Sequence, residues 1–170
     1  MLVLPVHATV FANFDGSMPY LDGNIDTARP ILEQLFDPGG SAAAEPVPGA
    51  TSRYALAEFE AARPDALWHQ CGIQFHLEEA VMVPTQNHTR VALSSPNPCE
   101  HPSLLSPHLE QPEDAGGIPM YVGGALRQNV LEEYAGAACP LSSSHAFVAV
   151  QGRYLTTAGV AAHELGHFLG

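Results

Sequence analysis

Lysine is absent from this chain, and six arginines supply all of its fixed side-chain positive charge against eighteen acidic residues, a formal net charge of −12. Without lysine there is no Schiff-base nucleophile and no phosphate-loop lysine, so both chemistries are excluded. A chain this acidic has little to set against a phosphate backbone, which argues against nucleic acid as a partner. Long apolar runs are missing too. No stretch approaches the roughly 20 residues that a bilayer requires, so no membrane span is expected. Leu2 to Val6 is too short, and lacks a basic lead-in, to read as a secretory signal. Charged residues are scarce at 14% while apolar ones reach 46%. That balance favours a soluble globular domain over disorder, and the acidity reads as a solvated surface. The length suits one domain with a real core.

Cysteine is also sparse. Cys71, Cys99 and Cys139 are odd in number and not spaced as a zinc ribbon. Cys99 and Cys139 sit in predicted loops, where an extracytoplasmic protein could join them. Cys71, following Trp68 at the end of a predicted helix, is expected as a buried small hydrophobe.

What is present is concentrated at residues 163–170, His163-Glu164-Leu165-Gly166-His167-Phe168-Leu169-Gly170, with the pattern HExxHxxG. Histidines at i and i+4 of an α-helix lie on nearly the same face, about 6 Å apart along its axis, so both imidazoles can reach one metal ion. Glu164, beside the first of them, is placed to take a proton from a water on that metal. The preceding segment, residues 156–162, is made of small residues suited to a helix packed tightly under a sheet, with Thr156 or Thr157 as N-cap. Gly170 is positioned to end the helix in a left-handed turn.

Strand and helix patterns alternate along the rest of the chain. Val3 to Phe14 is rich in β-branched and aromatic residues and reads as a first strand. Ile25 to Phe36 contains a short helical stretch, with Pro30 tolerable near its start. Residues 37–49 are a loop of breakers. Thr51 to Gln70 reads as the main amphipathic helix, its apolar face supplied by Tyr54, Leu56, Phe59, Leu67 and Trp68, with a kink or break at Pro64 and an end at Gly72. Ile73 to Val83 follows as a second strand. Pro84 to Gly117 has little regular structure. Ile118 to Val122 reads as a third strand, Tyr134 to Pro140 as either an edge strand or a Gly/Ala turn, and His145 to Tyr154 as the last strand. Ser142 to His145 carries no nucleophile-elbow pattern.

The HELGHFLG run closely resembles the active-site helix of metzincin zinc proteases. Residues 67–75, LWHQCGIQF, are similar to the passage from first long helix to second strand in many metzincins, pappalysin-like bacterial members among them. Residues 134–140, YAGAACP, resemble the small-residue edge segment of matrix-metalloproteinase-like domains. The resemblance implies an α/β (α+β) fold: the upper subdomain of a metzincin, a twisted, mixed but mainly parallel sheet with a backing helix and an active-site helix. It implies Zn²⁺ held by His163 and His167, with a third protein ligand beyond residue 170, Glu164 as catalytic base, and a peptide or protein as substrate. The substrate backbone would pair with the edge segment at Gly136, Ala137 and Ala138.

On this reading residues 1–170 are the front part of a secreted or extracytoplasmic catalytic domain. A methionine turn would follow downstream, since Met18, Met82 and Met120 all precede the motif. His88, His101, His108 and Asp114 could form the structural zinc or calcium site that some metzincins carry, but their spacing fits no motif and solvated loop histidines are favoured. Asn87-His88-Thr89 is an N-glycosylation sequon, meaningful in a eukaryotic secretory setting. Two rivals stay open. A gluzincin shares HExxH but takes a downstream glutamate as third ligand, against which Gly170 argues. A catalytically incompetent metzincin fold could serve as a binding module.

Overall fold

The computed structural model describes residues 1–12, 32, 36, 67–84, 90–92, 99, 116–123, 125–127, 133–143, 146–154 and 158–170. Its strands are β1 (Leu2–Ala12), β2 (Ile73–Pro84), β3 (Arg90–Ala92), β4 (Ile118–Gly123), β5 (Ala125–Arg127), β6 (Glu133–Tyr134), β7 (Gly136–Cys139) and β8 (Phe147–Gln151). A single helix with described bounds, α1 (Ala158–Leu169), closes the series. The architecture is mixed α/β.

Five strands form one sheet in the order β2-β1-β4-β8-β7. β1 pairs in parallel with β2 and β4, and β4 in parallel with β8. β7 alone runs antiparallel, against β8, and sits at the edge. Burial separates the strands of the sheet. A strand covered on both faces must be apolar on both, and β8 is buried at every position while β4 is buried at all but Pro119. β2, at the opposite edge, exposes His76, Glu78 and Glu79. Charge on an edge strand discourages pairing with another chain.

Strand alternation sorts the core into two layers. Val6, Ala8 and Val10 of β1, Ile118, Met120 and Val122 of β4, and Val148 and Val150 of β8 face one side. There they meet Ala161, Leu165 and Phe168 of α1 together with Phe75, Leu32 and Phe36. Phe11, Tyr121, Phe147, Ala149 and Cys139 face the other. On that second face Tyr121 lies between two rings, Phe11 stacked and Phe147 edge-on, each with centroids 6.0 Å away.

The first, second and third strands lie where the sequence places them, and α1 covers the expected residues; the last strand is shorter than expected, Phe147–Gln151, because Gly152–Tyr154 turns into a 3-10 helix. Leu32 and Phe36 are helical and fully buried, in keeping with the helical stretch expected there. Of the predicted helix from Thr51, the described part is its end, where Leu67 and Trp68 are helical and a 3-10 turn spans His69–Cys71. Gly72 closes that turn in the left-handed region, φ 72°, and its N–H donates to the His69 carbonyl at 2.9 Å.

Two expectations fail at this turn. Leu67 is 43% exposed and not part of an apolar face. Cys71 is exposed, because the three-residue turn buries none of its residues. The stretch from Pro84 to Gly117, expected to hold little regular structure, contains the short strand β3 among its described residues. That strand joins β5 and β6 in a small separate sheet, order β3-β5-β6, whose strands of two and three residues are too short to show a period. Cys99 and Cys139 form a disulfide, Cα–Cα 5.2 Å, at the far end of the edge strand. Phe14, residues 51–66, Asn87, His88, His101, His108, Asp114, His145, Thr156 and Thr157 lie outside the described residues. Among the described residues no helix is long and apolar enough to cross a membrane.

Candidate metal site on the C-terminal helix

α1 is amphipathic with an inward stripe at Ala161, Ala162, Leu165 and Phe168, the helical spacing of a face laid against a sheet. It packs under β7 and β8. His163 and His167 fall on its exposed side, one turn apart. Their Nε2 atoms are 2.9 Å from each other, and the rings meet edge to face with centroids 4.5 Å apart. Nitrogens this close are at hydrogen-bond distance, one ring donating N–H and the other accepting. Two ligands of one tetrahedral zinc, with Zn–N of about 2.0–2.1 Å, stand roughly 3.3 Å apart, so these residues fit the ion with a slight opening of the pair. Among the described residues no group of three or more His, Cys, Asp or Glu side chains gathers at one point.

Glu164 differs from His163 and His167 in being buried, 8% exposed, between α1 and the edge strand. Burial pushes its carboxyl above the ordinary carboxylate range, while His163 and His167 pull it back down. Its inner neighbour is Gly136, and an ideal Cβ built there would lie 2.8 Å from Glu164 Oε1. Of the edge residues expected to bind substrate, Gly136 and Ala138 thus belong to the α1 side, Ala138 against the larger core layer. Ala137 packs in the opposite layer. The segment is a strand and not a turn, and among the described residues its outer edge has no strand neighbour.

Two contacts that hold α1 in place are invisible to motif reading. Trp68 donates its indole N–H to the Ala162 carbonyl at 3.1 Å, and its ring lies flush on Gly166, where a Cβ would come within 2.9 Å. The hint was a glycine inside a helix, a residue that costs about 1 kcal/mol there relative to alanine and so signals a close neighbour. At the other end the Leu141 N–H donates to the Phe168 carbonyl, 2.9 Å, tying the turn after β7 to the last turn of α1. Gly170 follows with positive φ, 113°, its N–H bonded back to the Gly166 carbonyl at 3.2 Å. Comparison of the chain with protein-family models, with curated proteins and with solved structures finds no match in any of the three.

Proposed function

We propose that this chain belongs to a zinc-dependent endopeptidase of metzincin type, with His163 and His167 as two of three metal ligands and the third contributed from beyond residue 170. The observation that carries the reading is the pair of exposed imidazoles whose Nε2 atoms converge to 2.9 Å beside a buried carboxyl, all from one HExxH turn. The order of elements adds support: an antiparallel edge strand, the last parallel strand, then the helix bearing the motif. So does the left-handed glycine after the helix. The disulfide supports an oxidising, extracytoplasmic setting.

Zinc bound there supplies Lewis-acid chemistry, lowering the pKa of a water toward roughly 7 and polarising a peptide carbonyl. The protein's own contribution is proton handling and orientation. Glu164 holds a carboxyl whose proton affinity is raised by burial and moderated by two histidines, suited to accept a proton and return it to a leaving amine. β7 offers backbone groups along its outer edge, to which an extended peptide could add as a further strand.

The test is metal analysis and peptide hydrolysis on protein that includes the downstream ligand. His163→Ala and His167→Ala are expected to lose zinc. Glu164→Gln is expected to keep zinc and fold while kcat falls by about 10²–10⁴, the range for a positioned general base. Stoichiometric zinc in both histidine variants, or near-normal cleavage by zinc-loaded Glu164→Gln, sinks the reading. Zinc binding with no hydrolysis of any peptide would instead favour a binding module.

A further inference from the structure

We propose that Gly136 is the positioning residue for Glu164: it is glycine because the volume of a side chain at that point is taken by the glutamate's own arm. A Cβ on Gly136 would fall 2.6 Å from Glu164 Cγ, 2.9 Å from Cδ and 2.8 Å from Oε1. Carbon and oxygen do not approach that closely without something moving.

Neither backbone conformation nor strand pairing calls for glycine at this position. The positive-φ glycines of the described chain are Gly72, Gly116 and Gly170, so the backbone at Gly136 is open to any residue. It sits in regular antiparallel register opposite Val150, where glycine weakens a strand. Two residues along on the same side, Ala138 carries its Cβ against the core without conflict. The strand cannot simply back away from α1. Gly136 is paired with β8, and the Gln151 N–H donates to the Ala135 carbonyl at 2.9 Å just before it. Glu164 is confined as well, since its side chain is buried between helix and strand. A methyl group at 136 therefore either strains the β7–α1 contact or turns the carboxylate out of place.

The functional half of this inference rests on the protease reading above; the packing half does not. The rival explanation of Gly136 is that a bare backbone lets a bound peptide approach the edge strand, which would make it a substrate contact with no tie to Glu164.

A double-mutant cycle separates these. Thermal unfolding is measured on zinc-free protein for the parent, Gly136→Ala, Glu164→Ala and the double variant. Gly136→Ala is expected to lower Tm by about 3–10 °C in the parent, as overpacking does, and to have no effect once Glu164→Ala has emptied the space. Should Gly136→Ala fail to fold while the double variant folds, the inference is upheld by the rescue. In zinc-loaded, hydrolytically active protein Gly136→Ala should keep its zinc and lose about 10–100-fold in kcat with KM within about twofold, as a displaced base would. An equal Tm loss in both backgrounds, no loss in either, or a raised KM with kcat intact overturns the assignment. A coupled Tm with no hydrolysis by the zinc-loaded parent keeps Gly136 as the residue that places Glu164 and removes the protease reading instead.

Discussion

Glu164 is where the motif and its surroundings do different things. The motif puts an acid next to a histidine; burial between α1 and β7 then raises its proton affinity, against the pull of His163 and His167. The stability consequence follows from linkage. A carboxyl whose folded-state pKa is raised stabilises the fold fully below its unfolded value near 4.5, and that contribution is lost as pH rises through the folded value. Glutamine at 164 cannot ionise, so in zinc-free protein Glu164→Gln should gain Tm relative to the parent as pH climbs upward from about 4.5. Calorimetry with chelator across that window checks it, and a constant Tm difference would mean that burial does not shift the group. Spacing alone singles out His163, Glu164 and His167. The burial of Glu164 and the exposure of His163 and His167 are not legible there, because they depend on which side of the helix meets the sheet.

At the scale of elements, α1 shows how a weak residue is made useful. Gly166 in mid-helix should be improved by alanine, which gains about 1 kcal/mol of helix propensity. Here the new methyl would meet Trp68 Cζ2 at 2.9 Å and Cη2 at 3.4 Å. The indole cannot easily yield, since it is bonded to the Ala162 carbonyl and set edge-on to Phe75 with centroids 6.5 Å apart. Overpacking of this kind costs about 1–3 kcal/mol, so Gly166→Ala is expected to give a net loss of about 1 kcal/mol. In a Trp68→Ala background the same change should instead add about 1 kcal/mol, and urea titration of the four proteins reads both signs. Stabilisation by Gly166→Ala in the parent would show that Trp68 does not clamp the helix. The elements themselves were mostly readable: β1, β2, β4, β8 and α1 from apolar runs and breakers, and Gly72 as a cap. β3, β5 and β6 were not, as two or three residues carry no period. The small residues of the edge strand β7 suit strand and turn alike, and pairing with β8 decides the matter.

For the molecule as a whole, the Cys99–Cys139 disulfide is the largest single constraint among the described contacts. It closes a loop across 40 residues of sequence and joins the segment before β4 to the end of the edge strand. Removing a link of that span releases unfolded-chain entropy worth about 4 kcal/mol in the loop-closure model, so Cys99→Ser with Cys139→Ser should cost about 2–4 kcal/mol. Denaturant unfolding of the double variant measures it, and a loss under ~0.5 kcal/mol would show that the ends of β7 and its partner segment are held by packing alone. The sequence alone determined that His163, Glu164 and His167 fall within one turn of helix, which apolar runs become strands, and where the breakers between them lie, because each is set by residues a few positions apart. The tertiary structure decided the partners: Gly136 for Glu164, Trp68 for Gly166, Cys99 for Cys139. These pairs are distant in the chain and meet through the strand order β2-β1-β4-β8-β7, and a periodic pattern says which face of an element is buried but not what it is buried against.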